Sequence, residues 1–375
     1  MPVPVYYMDS RSRSAKTSSI AKIRALLAKV VESAPEAVRT GDLCAIKIHF
    51  GELGNDAYIS PVFARAASDA ARAGGAKPFF TDTNTLYTGS RSNAVDHLET
   101  AIAHGFVPEV CGAPVIIADG IQSNDWREVA LSGDCTRLKS AKIAGGILDA
   151  DSMIVLSHVK GHEMAGFGGA IKNLAMGCAP FVGKREQHCV KFQVKDAKCI
   201  ACGQCVSVCP TGAATLQKVK GEKASINQEA CIGCGECMTV CAPKAIGMDW
   251  EVGIEEFTEK MTEYALGAIT GKKDRLIFVS IVQKVVPLCD CVPWSDVPVV
   301  PDIGFLASTD PVAIDQAAFD LVKAATVWPG SALDGKAGPG DDKFTAMHPN
   351  TRSELQLSHG ERIGLGTRDY ELVRI

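Results

Sequence analysis

The chain has 375 residues, 46% of them hydrophobic and 22% charged, with a formal net charge of −4. This composition fits two or three compact units and excludes a disordered or fibrous chain. No basic block tracks a nucleic-acid backbone and no apolar run reaches the roughly 18 residues of a membrane span, so neither nucleic acid nor membrane is an expected partner.

In the first half, strand-like and helix-like segments alternate. Val3–Met8 reads as a strand, and Ile20, Ile23, Leu26, Leu27, Val30 and Val31 then recur at helical spacing. In Leu43–Phe50, Ile46, Ile48 and Phe50 point one way and Lys47 and His49 the other. Ser60-Pro61 opens a helix that Gly74-Gly75 closes. Pro78–Asp82, Val115–Ala118 and Met153–His158 read as strands, Ala94–His104 and Ala141–Ala150 as helices. The alternation stops near residue 190 and resumes with a helix at Ile254–Leu266, strands at Arg275–Val282 and Ile303–Ala307, and a helix from Pro311 to about Ala325. The predicted fold class is therefore α/β: a sheet flanked by helices, discontinuous in sequence (1–190 and 250–375), with a small inserted α+β domain at 191–249. Gly330 to Asp342 is expected to be loop.

Fifteen cysteines in a large chain whose start, MPVPVYYMDSRSRSAK, lacks a secretory signal favour metal ligation or reactive thiols over a disulfide framework, and point to a cytoplasmic protein. Eight of them form two C-x2-C-x2-C-x3-C motifs, Cys199-Cys202-Cys205-Cys209 and Cys231-Cys234-Cys237-Cys241. Three thiolates at that spacing wrap one cuboidal cluster while the fourth reaches the neighbouring one. Two 4Fe–4S clusters are expected: one on Cys199, Cys202, Cys205 and Cys241, the other on Cys231, Cys234, Cys237 and Cys209. Gly203, Gly233 and Gly235 allow backbone N–H groups to approach the sulfides. Zinc sites also use paired cysteines, but two quartets of identical spacing with nearby prolines fit a bacterial two-cluster ferredoxin better. The segment is too small for a core of its own, so ligation is expected to supply much of its folding energy.

Three stretches, LCAIKIHFGE (43–52), SHVKGHEMAGFGGAIKNLAMGC (157–178) and DIGFLASTDPVAID (302–315), resemble the signatures of the domain-of-unknown-function family 362. The resemblance spans nearly the whole chain and implies a ferredoxin-type insert placed as here. It also implies a distant similarity to the lactate-racemase-like fold, which by itself carries no activity.

Read from its residues, Ser157–Cys178 is a strand end, a glycine loop and a helix start, the usual setting of an anion site. Lys160 and Lys172 are candidates to bind a carboxylate or phosphate, and His162 or His158 to donate a proton. Lys47, His49 and Glu52 mark a second strand end and Asp82, Thr83 and Asn84 a third. The catalytic candidates are thus His162, Lys160, Lys172 and His49. The plainer alternative is that the glycines only shape a turn and the lysines are solvated. Cys289-Asp290-Cys291 is poorly spaced for a mutual disulfide. Three readings stay open: a third metal site with Cys178, or with Cys189 or His188; a reactive redox pair; or inert buried thiols. No dinucleotide, Walker or serine-elbow motif occurs, and a flavin is a further candidate.

These features point to an oxygen-sensitive iron–sulfur oxidoreductase that passes electrons through two 4Fe–4S clusters to a small anionic substrate or second metal in the α/β cleft, with a redox partner protein. The alternatives are a non-enzymatic electron carrier or metal-site maturation partner, and a lactate-racemase-like isomerase with structural clusters.

Overall fold

A computed structural model of the chain describes residues 2–87, 89–188, 192–217, 222–231, 236–248 and 250–375. Cys189 and Cys234 lie outside the described residues.

Strands β1 (Val3–Asp9), β2 (Leu43–Lys47), β3 (Lys77–Asp82) and β4 (Val115–Ile117) alternate with helices α1 (Ser19–Ser33), α2 (Pro61–Ala73), α3 (Ala94–Ala103) and α4 (Pro108–Cys111). A hairpin of β5 (Trp126–Ala130) and β6 (Ser140–Ala144) and the short α5 (Gly145–Asp149) lead to β7 (Ser152–His158). The hairpin of β8 (Lys160–His162) and β9 (Gly166–Gly168) then opens into α6 (Ala170–Ala175) and α7 (Phe181–Gln187).

The cysteine-rich segment follows. It runs β10 (Phe192–Val194), α8 (Gln204–Ser207), β11 (Ala214–Thr215), then β12 (Ser225–Ile226), α9 (Glu236–Thr239), β13 (Ile246–Met248). The outer strands pair antiparallel, as do the inner ones, so the segment is a doubled strand–helix–strand unit closed at its base by β10 and β13. The chain then returns to the main body as α10 (Trp250–Ala268), β14 (Leu276–Val282), β15 (Gly304–Ser308), α11 (Pro311–Ala324), α12 (Lys343–Met347), α13 (Leu355–Arg362) and β16 (Tyr370–Arg374).

Eight strands form one mixed sheet in the order β16-β1-β15-β14-β7-β2-β3-β4, in which β15 alone runs against the rest. Both faces are covered. Along β7, Met153 and Val155 enter one core, with Phe257, Met261 and Tyr264 of α10 and Ile314 and Phe319 of α11. Ile154 and Leu156 enter the other, with Ile23, Leu26, Leu27 and Val30 of α1 and Ala64, Ala67 and Ala71 of α2. A strand buried on both sides is largely apolar, as Met153–Leu156 of β7 and all of β14 but Ser280 are. Each fully buried Leu or Val here contributes roughly 1.5–3 kcal/mol before chain entropy is set against it.

The expected elements mostly recur, with Asp310 capping α11 through the backbone N–H groups of Val312 and Ala313. Residues 330–342 form no helix or strand. The expected helix at Ala141–Ala150 is instead the end of strand β6 followed by the single turn α5. Burial there alternates, Ala141 and Ile143 in and Lys142 out, and pairing with β5 overrides the helical propensity of the alanines. The sequence also gave no sign of β16, whose parallel pairing with β1 joins the two ends of the chain. Among the described residues no helix is long and apolar enough to cross a membrane.

Candidate functional site

Along the sheet, β2, β3 and β4 step outward in one direction, whereas β7 returns to the other side of β2. The β2–β7 pair is thus where the strand order reverses, the place where open parallel sheets leave a crevice beyond their carboxyl ends. A cavity of about 430 Å³ opens there, lined by Lys47 at the end of β2 and His49 just beyond it, Asp82 at the end of β3, and His158 at the end of β7 with Lys160 and His162 beyond it. The three strand ends singled out in the sequence therefore meet. Lys172 and Asn173 of α6 form part of the lining, and so do Cys289, Asp290 and Cys291 from the loop after β14.

Most charges in the cavity are matched. Buried Lys47 pairs with Asp82 at 2.9 Å and donates to Asn173 Oδ1 at 2.7 Å. Asn173 in turn donates to the Leu156 carbonyl of β7 at 2.9 Å, tying α6 to two strands. A Cβ at Gly177 would overlap the Lys47 ammonium, so this approach requires glycine. Arg91 bridges Glu52 at 3.0 Å and Asp82 at 3.6 Å. Asp290, 1% exposed, contacts the Lys160 ammonium directly, and its Oδ2 lies 3.1 Å from His158 Nδ1. The ring assignment follows: His158 Nε2 donates to the Gln283 carbonyl at 2.7 Å, and Lys160 donates to Nδ1 at 2.9 Å. Burial, with Lys172 and Arg91 nearby, pulls the Lys160 ammonium well below its ordinary pKa.

Lys172 differs. Its ammonium makes no hydrogen bond or ion pair with any described residue, and burial pulls its pKa down to about 8. Its place is set by α6, whose first two N–H groups, Ala170 and Ile171, are held by Asp315 of α11 at 2.7 and 2.9 Å. Among the described residues Asp315 has no ion-pair partner, and burial raises its pKa to about 7. The sign is fixed by that rise: the native state keeps a proton that the unfolded chain releases near pH 4, so this group's contribution falls as pH climbs to 7. Wild type is therefore expected to lose stability relative to Asp315→Asn between pH 5 and 8 in urea unfolding, and parallel profiles would refute the assignment.

Two further histidines of the cavity, His49 and His162, accept backbone N–H groups at Nδ1. His49 takes that of Gly51 at 3.0 Å, and His162 those of Met164 and Ala165 at 3.2 and 3.0 Å. Burial and the surrounding cations hold both rings neutral, with pKa values well below the ordinary one. A neutral ring that accepts at Nδ1 carries its proton on Nε2. His49 and His162 thus present N–H donors at Nε2 and are poor metal ligands through it, while burial moves Lys172 and Lys184 down to about 8 and Glu236 up to about 7, within reach of proton exchange near neutral pH. Nitrogen-15 spectra of labelled histidine should show both rings as Nε2–H tautomers without titration from pH 5 to 8.

In the cysteine-rich segment, Cys199, Cys202 and Cys205 of the first motif and Cys241 of the second line one small cavity with Pro243 and Ile246. Backbone N–H groups point at the sulfurs: Ala201 to Cys199 at 3.4 Å, Ala214 to Cys209 at 3.3 Å and Ala245 to Cys241 at 3.2 Å. Burial would raise the Cys209 pKa, but the N–H groups of Ala214 and Thr211 outweigh it and lower it. Ala201 sits at φ +57° without being glycine, a cost that a tight loop around the cysteines explains. From the second half, Glu236 and Met238, on either side of Cys237, form part of the wall of the large cavity.

The Cys289 and Cys291 sulfurs are bonded to each other, with Cα atoms 5.2 Å apart, contrary to the expectation from their spacing. Cys178 is buried outside the cavity lining, so the three thiols proposed for a third metal are not brought together. Among the described residues no group of three or more His, Cys, Asp or Glu side chains is disposed to hold a metal ion.

Sequence reasoning missed Arg91, Asp290, Asp315 as a partner of α6, and Glu236. Arg91 lies in a loop without a motif, and Asp290 was hidden by the cysteines on either side.

Solved structures similar to this chain include these two. One is the lactate racemase apoprotein from Thermoanaerobacterium thermosaccharolyticum, at 12% identity and a TM-score of 0.36, covering 70% of this chain and 49% of that one. The other is a structural-genomics protein from Thermotoga maritima, at 10% identity and a TM-score of 0.37, covering 72% and 52%. The chain thus spans about half the length of each. No curated protein matches it. Residues 44–320, most of the sequence, match the family described as Domain of unknown function (DUF362), and the chain belongs to that family.

Proposed function

We propose that the protein is an iron–sulfur oxidoreductase whose inserted ferredoxin-like segment holds two 4Fe–4S clusters and whose α/β cavity holds a small anion. The observation that carries this reading is α9, which bears Cys237 and contributes Glu236 and Met238 to the wall of the cavity. The donors fit the clusters. One cavity gathers Cys199, Cys202, Cys205 and Cys241, and N–H groups directed at sulfur favour the thiolate form. Cys231, Cys237 and Cys209, with Cys234, would hold the second cluster. When bound, such clusters supply one-electron transfer at potentials tuned by those hydrogen bonds.

The chain's own residues do the rest. Lys172 attracts the anion, and the Nε2–H groups of His49 and His162 orient it. Lys47, Arg91 and Lys160 are neutralised by Asp82, Glu52 and Asp290, and Lys184 donates to Thr83 Oγ1 and the Asn84 and Ala179 carbonyls, which among the described residues leaves the Lys172 ammonium with a free valence. Because its pKa is about 8, anion binding is expected to weaken as pH rises through that value.

The test is anaerobic purification with iron analysis, electron paramagnetic resonance and mass spectrometry of released small molecules. About eight irons per chain are expected, with an anion that is lost in Lys172→Met. Folded protein with less than about one iron per chain would overturn the reading.

A further inference from the structure

The bond between Cys289 and Cys291 closes a ring of three residues. A disulfide stabilises mainly by removing loop entropy from the unfolded chain, and that gain shrinks with the loop. This one contributes almost nothing as a staple. Its place is more telling, since both cysteines line the large cavity, Cys289 buried and Cys291 half-buried. The residue between them is fixed independently of the sulfurs. Asp290 is held through its carboxylate by Lys160, and its carbonyl accepts from the Glu52 N–H at 2.8 Å. The loop therefore keeps its position whether the sulfurs are joined or apart. The same cavity is walled by Glu236 and Met238, the neighbours of Cys237.

We propose that Cys289 and Cys291 form a redox-active disulfide–dithiol pair that reduces a small anionic disulfide bound in the cavity. Of the acceptors a dithiol can reduce unaided, a disulfide needs only attack of sulfur on sulfur, and the unpaired Lys172 ammonium selects one with an anionic group. The pair takes up two electrons, delivered singly by a one-electron donor of the ferredoxin class, and two protons, giving two thiols. The more accessible Cys291 thiolate attacks one sulfur of the ligand, breaks its S–S bond and expels the first thiol. Cys289 then attacks Cys291 Sγ, expels the second thiol and restores the Cys289–Cys291 bond. The net change is one disulfide, two electrons and two protons to two thiols.

The inference rests on the electron-transfer reading above, but its readout is separate. Tryptic peptide 285–323 contains these two cysteines and no others. The full chain, purified anaerobically, is alkylated and digested before and after reduced methyl viologen, and again after oxidised glutathione. The peptide should carry no label at first, two after reduction and none after glutathione. In Cys289→Ser the same sequence should leave one glutathione on Cys291. Two labels before reduction, no label in the reduced native chain, or labels that persist after glutathione would each overturn the proposal. Iron near eight with an inert pair would sink this inference alone, whereas an iron-free insert with a responsive pair would sink the cluster reading alone.

Discussion

Asp290→Ala is expected to destabilise the protein by about 3–5 kcal/mol, the cost of leaving a buried cation without its partner. Lys160 is 5% exposed, and its ammonium contacts the Asp290 carboxylate. Removing the carboxylate leaves His158 Nδ1 as the hydrogen-bond partner of Lys160. The chain recovers part of the loss by shedding the Lys160 proton, which burial already favours. A second substitution gives the sharper result. Asp290→Ala combined with Lys160→Met removes both charges, and most of the lost stability should return because no uncompensated charge is left. Urea unfolding of the four proteins closes the cycle. A loss below about 1 kcal/mol in Asp290→Ala, the scale of an exposed ion pair, would show that the two groups are not coupled.

Iron in Cys241→Ala and in Cys202→Ala is expected to fall to about four per chain in each. The residues come from different motifs yet line one cavity. If they share a cluster, the double variant loses no more than either alone. If each motif instead holds its own cluster, the two losses add and the double variant is nearly iron-free. Iron analysis of anaerobically purified protein, with paramagnetic resonance to identify the surviving cluster, separates the outcomes. On the proposed reading, cluster ligation supplies much of the folding energy of this segment, so cleavage by protease within 192–248 should rise in the single variants.

Much of this site could be read from the sequence, for identifiable reasons. The alternation of Ile46, Ile48 and Phe50 against Lys47 and His49 fixes which side chains leave the core, and the structure puts the first three in an apolar cluster and the last two in the cavity. Strand ends converge because the sheet order reverses between β2 and β7. What stayed hidden depends on contacts remote in sequence. Asp290 meets Lys160 and His158 across more than 120 residues, and Asp315 reaches back about 145 residues to cap α6. No local pattern announces such pairs. The protonation of the histidines was equally invisible. Two backbone N–H groups on His162 Nδ1 decide it, and they depend on the turn after β8.

The closing of the cysteine-rich segment by the β10–β13 pair has an evolutionary corollary. Phe192 faces Met248 across the ladder, so the segment enters and leaves the main body at one point. An ancestral chain could gain or shed it in a single recombination event, with a short tether in its stead and the eight-stranded sheet untouched. The price of excision would fall on the cavity, which would lose the Glu236 and Met238 wall and stand open to water. Relatives without the segment would then need another partner, covalent or transient, to roof the same crevice.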